Sequence, residues 1–177
     1  MGKPIKGTSG PDILTGTSKG DKIHGRGGND ILEGRNGNDF LKGGTGNDLL
    51  RSGAGDDRSF GGPGNDTING GHGNDFLFGG SGNDRLTGGG EIDVMKGGSG
   101  KDVFRIDATG FENIILDFKY SHGDRIDIPP GYSLSNAVII DNGNPHDGVT
   151  VSWGPAGPVV TILGVHSASD VSAAWFI

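Results

Sequence analysis

The chain has 177 residues, of which 31% are hydrophobic and 38 are glycine, so its apolar side chains are too few for a conventional globular core. A net charge of -7 argues against a nucleic acid or an anionic membrane surface as the partner and favours cations. Because there is no cysteine and no run of about 18 apolar residues, we expect no disulfide framework, no thiolate metal site and no membrane span.

The first residues, MGKPIKGTSGPDIL, contain no apolar run that could serve as a secretory h-region, so we expect any export to use another signal. Residues 1–6 form a lead-in to a nine-residue repeat, which runs from Gly7 to Arg105. Eleven consecutive units fill these 99 residues. Units such as GGPGNDTIN and GGHGNDFLF show the pattern best, with glycine at positions one, two and four.

Two positions of the repeat keep a fixed phase. Position six is aspartate in all eleven units, namely Asp12, Asp21, Asp30, Asp39, Asp48, Asp57, Asp66, Asp75, Asp84, Asp93 and Asp102. Position eight is apolar in ten of the eleven, namely Leu14, Ile23, Leu32, Leu41, Leu50, Ile68, Leu77, Leu86, Met95 and Phe104. A flexible linker does not hold residues at fixed phase, so this period predicts a solenoid.

Each unit combines a turn with a short strand. The first six positions are typical of turns, because glycine adopts positive φ and Asn and Asp tolerate it. Only positions seven to nine are then suited to a strand. Two units make one coil of a flattened solenoid, so odd units are expected to stack into one parallel sheet and even units into another. Alternation along a strand points position eight inward and positions seven and nine outward.

The stacked aspartates would repel one another in this architecture. Each lies beside the aspartate eighteen residues away on the same edge, and like charges about 5 Å apart repel by about 1 kcal/mol in water. A hard divalent cation between them reverses the sign, and backbone carbonyls of the glycine-rich turns can complete an all-oxygen shell. Calcium suits such a flexible oxygen cage better than magnesium, which requires near-octahedral geometry.

Units such as GGTGNDLLR and GGSGNDRLT resemble the RTX (repeats-in-toxin, haemolysin-type) calcium-binding nonapeptide GGxGxDxUx, and the resemblance covers residues 7–105. It implies an all-β fold, a right-handed parallel β-roll of two sheets, with a calcium ion between alternate turns. The ligands it implies are the carboxylates of both turn aspartates together with turn backbone carbonyls, including those of Gly43, Gly61, Gly70, Gly79 and Gly97.

The same resemblance implies at most about nine calcium ions in the roll. The odd edge joins Asp12, Asp30, Asp48, Asp66, Asp84 and Asp102 in five successive pairs, and the even edge joins Asp21, Asp39, Asp57, Asp75 and Asp93 in four. Lys19 and Glu91 replace the fourth-position glycine near the two ends of the even edge. The unit SGAGDDRSF has Ser52 at position one and Ser59 at position eight, which predicts a local defect or a register shift that turns Phe60 inward.

The period stops after Arg105, and residues 106–177 are predicted to form a small β-rich cap. FRIDATGFENIILDF and KYSHGDRIDIPPG predict two strands around a turn, and VTVSW and VVTILG predict a hairpin. The segments ILDF, GDRIDI and ILGVHSASDVSAAWFI resemble the C-terminal region that follows the repeats in secreted RTX proteins. This resemblance implies a cap on the last coil and an uncleaved type I secretion signal at the extreme C-terminus.

Three further features are candidates for chemistry. Asp117, Asp124 and Asp127 could form an extra calcium site near the cap, with a polar turn as the competing interpretation. The stretch that begins at Asp141 superficially looks like a calcium loop but has Ser152 and not Glu at position twelve, which favours a plain turn. The five histidines, His24, His72, His122, His146 and His166, lack metal-ligand spacing and are interpreted as solvated.

The outer faces of the two sheets are expected to differ. The even strands expose Phe40, Phe60, Phe76, Phe78 and Val94, whereas the odd strands expose Thr67, Asn69, Arg85, Thr87 and Arg105. Such an apolar face predicts cover by the C-terminal segment, or contact with another domain or a second copy.

The sequence therefore predicts a secreted bacterial calcium-binding module that is disordered at low calcium, leaves the cell by the type I secretion apparatus and folds outside. Two alternatives stay open. One is a non-catalytic accessory module of a secreted protease, lipase or polysaccharide-modifying epimerase with its catalytic domain upstream, and the other is a structural or adhesive surface rod. No nucleophile, base or cofactor constellation is evident, so we expect no catalysis by these residues.

Overall fold

The computed structural model describes residues 4–107, 112–133, 138–141, 149–153, 157–163 and 168–177. His146, His166 and residues 142–144 of the predicted plain turn lie outside these ranges. No helix in the described ranges has the length and apolar character needed to cross a membrane.

Short β-strands account for most of the secondary structure in the described residues. In chain order they are β1 (Ile5–Lys6), β2 (Ile13–Thr15), β3 (Lys22–Gly27), β4 (Ile31–Asn36), β5 (Phe40–Thr45), β6 (Leu49–Ala54), β7 (Arg58–Pro63), β8 (Thr67–His72), β9 (Phe76–Ser81), β10 (Arg85–Gly89), β11 (Asp93–Ser99), β12 (Val103–Arg105), β13 (Glu112–Ile115), β14 (Arg125–Asp127), β15 (Val138–Asp141), β16 (Val149–Ser152) and β17 (Val159–Ile162). Within the described ranges, single-turn 3-10 helices span Tyr120–His122, Ala168–Asp170 and Ala173–Trp175.

The strands form two sheets that alternate along the chain. The seven-stranded sheet has the order β2-β4-β6-β8-β10-β12-β14, and all its neighbours are parallel. The ten-stranded sheet runs β1-β3-β5-β7-β9-β11-β13-β17-β16-β15, parallel as far as β17 and antiparallel beyond it. Odd and even repeat units therefore occupy different sheets, which confirms the predicted parallel β-roll.

The repeat strands are longer than predicted. Most of β3 to β11 have six residues and run from position seven of one unit to position three of the next, so the turn shrinks to positions four to six. The expectation of a six-residue turn and a three-residue strand is wrong. Pairing continues past position nine because the position-one residue, such as Gly25, points inward without needing space for a side chain.

The core is a single file of position-eight side chains. Nine of them are fully buried, namely Ile23, Leu32, Leu41, Leu50, Ile68, Leu77, Leu86, Met95 and Phe104. Leu14, in the first coil, is half-buried and packs against this file. The predicted inward direction of position eight is therefore confirmed.

The register is unbroken at the unit SGAGDDRSF. Leu41 pairs with Ser59 and Ser59 with Leu77, so Ser59 keeps its inward position and is buried. Phe60 stays half-buried on the outer face, and the prediction that it turns inward is wrong. The hydroxyl oxygens of Ser52 and Ser59 lie 2.7 Å apart, so one donates a hydrogen bond to the other and the two departures from the repeat satisfy each other.

Stacking continues for one coil beyond the repeat. Met95 pairs with Ile115 and Phe104 with Ile126, and both new residues are fully buried. The two predicted strands around a turn are therefore present as β13 and β14, each in a different sheet. The predicted hairpin is present as the antiparallel pair of β16 and β17. The division of the chain at residue 105 stays a prediction.

Aromatic residues near the C-terminus cover the last coil. The ring centroids of Phe104 and Phe118 lie 6.3 Å apart, and those of Phe118 and Trp175 lie 5.0 Å apart. The final residue donates its N–H to the carbonyl of Ile126, at the edge strand β14 of the seven-stranded sheet. This contact gives the last parallel strand a partner at its open side.

The phenylalanines of the even repeat units, in β5, β7 and β9, form a continuous row on the outer face of the ten-stranded sheet. The rings of Phe40 and Phe60 have centroids 5.3 Å apart, and Phe60 lies 6.1 Å from Phe76 and 6.2 Å from Phe78. A groove along this row is lined by residues that include His24, Phe40, Phe60, Pro63 and Phe78. The described C-terminal residues extend the sheet at its edge and do not line this groove.

Candidate metal centre

In nine of the eleven repeat turns, a left-handed residue at position four places the aspartate. Gly46 has φ 122° and Gly64 has φ 140°, values that side chains disfavour. Glu91, which replaces glycine at this position, also has positive φ, and its carboxylate accepts the N–H of Gly73 at 2.7 Å. Successive turns on one edge therefore keep the same backbone path, and their aspartates form a column.

One carboxylate oxygen of each turn aspartate, Oδ1, ties neighbouring turns together. The backbone N–H of Asp48 donates to Oδ1 of Asp66, and that of Asp66 donates to Oδ1 of Asp84, both at 2.8 Å. The same contact occurs at 2.7–3.0 Å in all nine pairs that the sequence predicts along the two edges. The structure thus brings together every predicted pair of aspartates.

The second oxygen, Oδ2, has no donor in the interior turns. Among the described residues it is buried without a hydrogen-bond partner in Asp30, Asp39, Asp48, Asp57, Asp66, Asp75, Asp84 and Asp93. Buried polar atoms are nearly always hydrogen-bonded, so eight equivalent exceptions in two columns require a common cause. Carboxylate oxygens without N–H or O–H donors are the expected ligands of a hard cation.

Several of these Oδ2 oxygens have a backbone carbonyl nearby. A carbon atom added to Gly25 would overlap Oδ2 of Asp30 and lie 2.6 Å from the Gly43 carbonyl. The equivalent point at Gly61 adjoins Asp66 and the Gly79 carbonyl, and the point at Gly79 adjoins Asp84 and the Gly97 carbonyl, each 2.7 Å away. Three of the five predicted carbonyl ligands, Gly43, Gly79 and Gly97, therefore adjoin a turn carboxylate. Gly61 and Gly70 hold the same repeat position, and their role stays a prediction.

The donor set fits calcium. The described residues contain no group of three or more His, Cys, Asp or Glu side chains around one point, so an ion here would be held by two carboxylates and backbone carbonyls. Such a shell consists of oxygen alone and comes from flexible turns, which are the ligands that calcium accepts.

Burial raises the pKa of the interior turn carboxyls, and the N–H bond to Oδ1 opposes this only in part. The pKa rises to about 6 for Asp66 and Asp102, about 7 for Asp57, Asp84 and Asp93, and about 8 for Asp75. Since these pKa values exceed the ordinary 3.8, the ion-free roll loses stability as the pH rises from 3.8 through them. A cation between the carboxylates favours their ionised form and reverses this loss.

The first turn of each edge satisfies its own carboxylate. Oδ2 of Asp12 accepts the N–H and the hydroxyl of Thr8, at 2.6 and 2.9 Å. Oδ2 of Asp21 accepts the same two groups of Thr17, at 2.7 and 2.8 Å, and these bonds lower the pKa of Asp21. A cation is therefore less necessary at these turns than in the interior of the array.

A second ladder, at position five of the turns, was missed in the sequence analysis. The backbone N–H of Asn47 donates to the side-chain oxygen of Asn29, that of Asn65 to Asn47 and that of Asn83 to Asn65, at 2.7–2.8 Å. On the even edge Asp56 takes the same role between Asn38 and Asn74. The sequence signal for this ladder is the Asn or Asp at position five of seven consecutive units, from Asn29 to Asn83.

The three candidate carboxylates near the cap have different partners. Asp124 continues the odd column, because it accepts the N–H of Asp102 at 3.0 Å and that of Lys119 at 2.7 Å. The two oxygens of Asp117 accept the N–H groups of Gly97 and Gly98. Asp127 forms an exposed ion pair with Arg85 at 2.9 Å. These contacts describe three separate structural roles.

Comparison with known proteins gives one family and several solved structures. The RTX calcium-binding nonapeptide repeat matches in four copies, at residues 6–41, 33–68, 52–86 and 78–105. None of the curated protein sequences compared with this chain matches it.

Among solved structures, the extracellular lipase LipA from Serratia marcescens matches with 17% identity and a TM-score of 0.43, over 100% of this chain and 40% of the lipase chain. The present chain thus spans well under half of that lipase. The AlgE6R2 subunit of the Azotobacter vinelandii mannuronan C5-epimerase matches with 23% identity and a TM-score of 0.34, over 99% of this chain and 92% of the subunit.

The family match spans the residues that form the stacked turns, and it covers more than half of the chain. The same residues carry the columns of turn aspartates. This chain therefore belongs to the RTX calcium-binding nonapeptide repeat family, and its repeats form a calcium-binding parallel β-roll.

Proposed function

We propose that this chain is a calcium-dependent folding module, largely unfolded at the low calcium concentration of the cytosol and folded when it meets calcium outside the cell. One observation carries the proposal. Eight buried Oδ2 atoms stand in two columns without a donor, so the folded chain without an ion holds either uncompensated charges or protonated acids. Calcium would supply the missing partner of these oxygens and thereby favour the folded state.

The proposed ligands of each interior site are two turn aspartates eighteen residues apart and a position-one carbonyl. On the odd edge the pair of Asp66 and Asp84 is a representative example, with the Gly79 carbonyl beside Asp66 and the Gly97 carbonyl beside Asp84. Nine such pairs lie between repeat aspartates, so about nine ions is the proposed ceiling for the repeat region.

The proposal places the working module outside a bacterial cell, after export through the type I secretion apparatus. The resemblance of the C-terminal segment to the region that follows RTX repeats in secreted proteins supports this route. A chain that stays unfolded until it meets calcium is also suited to passage through a secretion channel. An upstream catalytic or adhesive domain would make the chain an accessory module of a larger secreted protein. The row of phenylalanines, whose groove the described C-terminal residues do not line, favours contact with such a domain.

Far-UV circular dichroism in a calcium titration tests the proposal. We expect a largely disordered spectrum in excess chelator and a cooperative gain of β-structure at about 10⁻⁴–10⁻³ M calcium, the range of extracellular modules. Magnesium at the same concentration should produce little change, because the turns do not offer rigid octahedral geometry. A chain with the same β-content in chelator and in calcium would disprove calcium-dependent folding.

A further inference from the structure

We propose that the even edge carries one more calcium site than the repeats supply, formed by Asp93 and Asn113 where the chain leaves the nine-residue period. The site lies beyond the nine pairs of repeat aspartates, because Asn113 follows the last repeat. This inference rests on the proposed function, since it extends the same column of ions by one.

Two buried oxygens without partners meet at this end of the column. Strand pairing places Asn113 opposite Asp93, so Asn113 occupies the turn-aspartate position of the extra coil. Asn113 is 2% exposed and Asp93 is 0% exposed. Oδ1 of Asn113 and Oδ2 of Asp93 both lack a hydrogen-bond partner. Asn113 lies outside the repeat, but like the interior turn aspartates it has a buried acceptor oxygen without a donor.

The local geometry repeats that of the preceding site. A carbon atom added to Gly70 would overlap Oδ2 of Asp75 and lie 2.5 Å from the carbonyl of Gly88. A carbon atom added to Gly88 would overlap Oδ2 of Asp93 and lie 2.5 Å from Oδ1 of Asn113. The side-chain amide oxygen of Asn113 therefore takes the place that a position-one backbone carbonyl has one coil earlier.

Near Gly88 the oxygen contributed by the next coil is that of the Asn113 side chain and not a backbone carbonyl. The residue eighteen positions after Gly88 is Ile106, which would supply the next carbonyl if the period continued. Ile106 follows β12 in the same seven-stranded sheet as Gly88, and its N–H donates to the carbonyl of Asp127, but its own carbonyl is not among the three atoms nearest to the carbon added at Gly88. Asn113 therefore supplies an uncharged oxygen beside Gly88, where the preceding site has the Gly88 carbonyl beside Gly70.

The charges around the site favour a cation. The negative charges of Asp107 and Glu91 both act on Asp93, in addition to the carboxylate of Asp75 earlier in the column. Amide carbonyl oxygens are ordinary calcium ligands, and affinity depends on the number of charged ligands in the shell. Asp93 with Asn113 therefore makes a site with one fewer carboxylate than the repeat sites.

The odd edge ends differently, which argues that the Asn113 arrangement is specific. Both oxygens of Asp124 accept backbone N–H groups, from Asp102 and from Lys119. Both oxygens of the last carboxylate in the odd column are therefore hydrogen-bonded. The even column ends instead on two oxygens without donors, Oδ2 of Asp93 and Oδ1 of Asn113.

Calcium stoichiometry of two variants of the full chain tests the site. Asn113→Leu keeps a similar volume but removes the oxygen, and we expect it to bind one ion fewer than the wild type with an unchanged far-UV spectrum in saturating calcium. Asn113→Asp adds a carboxylate to the shell, and we expect it to keep the full number of ions. Its half-saturating calcium for this site should fall about tenfold, as the charge of the shell increases.

The opposite results would overturn the inference. If Asn113 is only a core amide, Asn113→Asp buries one more uncompensated charge beside Asp93, which would lower the melting temperature in saturating calcium. Asn113→Leu would then bind as many ions as the wild type. If Asn113→Leu does not fold, the melting temperature of Asn113→Asp in saturating calcium is the remaining test, and a value below that of the wild type would overturn the inference. A wild-type chain that binds no calcium would refute the proposed function, whereas an unchanged count in Asn113→Leu would refute this site only.

Discussion

Each turn aspartate divides its two carboxylate oxygens between two tasks. Oδ1 accepts a backbone N–H from the preceding coil, so it holds the stack together even without an ion. Oδ2 faces a carbonyl and no donor in the interior turns, so it needs a cation. The first turn of each edge escapes this need, because Thr8 and Thr17 donate to Oδ2. The importance of calcium should therefore increase from the N-terminus toward the middle of the array.

Asp66→Ala and Asp12→Ala should have unequal effects although the substitution is chemically the same. Asp66 is shared between the pairs with Asp48 and Asp84, so its loss should remove about two ions and most of the folding cooperativity. Asp12 contributes to one pair, with Asp30, and its Oδ2 already has donors, so its loss should remove at most one ion. Calorimetric calcium titration measures both. Equal losses would mean that the turns bind ions independently.

Gly61→Ala should impair calcium-driven folding, because its Cβ would overlap Oδ2 of Asp66 and press against the Gly79 carbonyl. We expect several times more calcium at the midpoint of a circular dichroism titration. Gly10→Ala is the matched control, since the nearest atom to its Cβ is the Thr8 hydroxyl oxygen at 3.9 Å. A similar midpoint for the two variants would show that the point beside Gly61 is not part of a calcium site.

At the scale of the elements, no coil is stable alone, because each buries little more than two position-eight side chains. Neighbouring coils supply the hydrogen bonds and the contacts, so the stability of the stack depends on continuity between neighbours. Two places interrupt the regular pattern, the serine pair in the middle and the transition to the cap at the end. Both can be tested without altering a turn aspartate.

The pair of Ser52 and Ser59 should behave as one unit. Ser59→Ala leaves the buried Ser52 hydroxyl without its partner, which should cost about 1–3 kcal/mol. The double variant Ser52→Gly with Ser59→Leu restores the residues of the repeat and an apolar contact between Leu41 and Leu77. We expect it to melt above the wild type in saturating calcium. A double variant less stable than Ser59→Ala would contradict this account of the pair.

Removal of the residues after Arg105 should impair folding even with all repeat aspartates intact. The truncation exposes Phe104, which Phe118 covers, and removes Asp124, which accepts the N–H of Asp102. We expect residues 1–105 to stay largely disordered at a calcium concentration that folds the whole chain, as measured by circular dichroism. Equal folding of the two chains would show that the C-terminal segment is dispensable.

Most of the repeat region is predictable from its period, since a fixed phase assigns Asp66 to a turn and Leu77 to the core without any contact being known. The contact between Ser52 and Ser59 is harder to predict, because it depends on two departures that meet only after folding. Asn113 could not be found by period either. It enters the even column through strand pairing with Asp93, after a connection that breaks the nine-residue spacing.

At the scale of the whole molecule, an acidic chain with a narrow core folds by placing its carboxylates in two columns. The arrangement is unfavourable without a cation, because burial raises the pKa of Asp75 to about 8 and that of Asp57 to about 7. Under the proposed function, calcium would act on the fold as a whole, through both edges at once. Calcium binding and global compaction should then be one event.

Small-angle X-ray scattering in chelator and in saturating calcium shows whether calcium binding and compaction coincide. For a chain of this length, an unfolded ensemble has a radius of gyration of about 45 Å and a compact domain about 16 Å, with a somewhat larger value for an elongated roll. The account predicts the larger value in chelator and a cooperative collapse toward the smaller one in the same calcium range as ion binding. A compact particle of unchanged radius in chelator would contradict it.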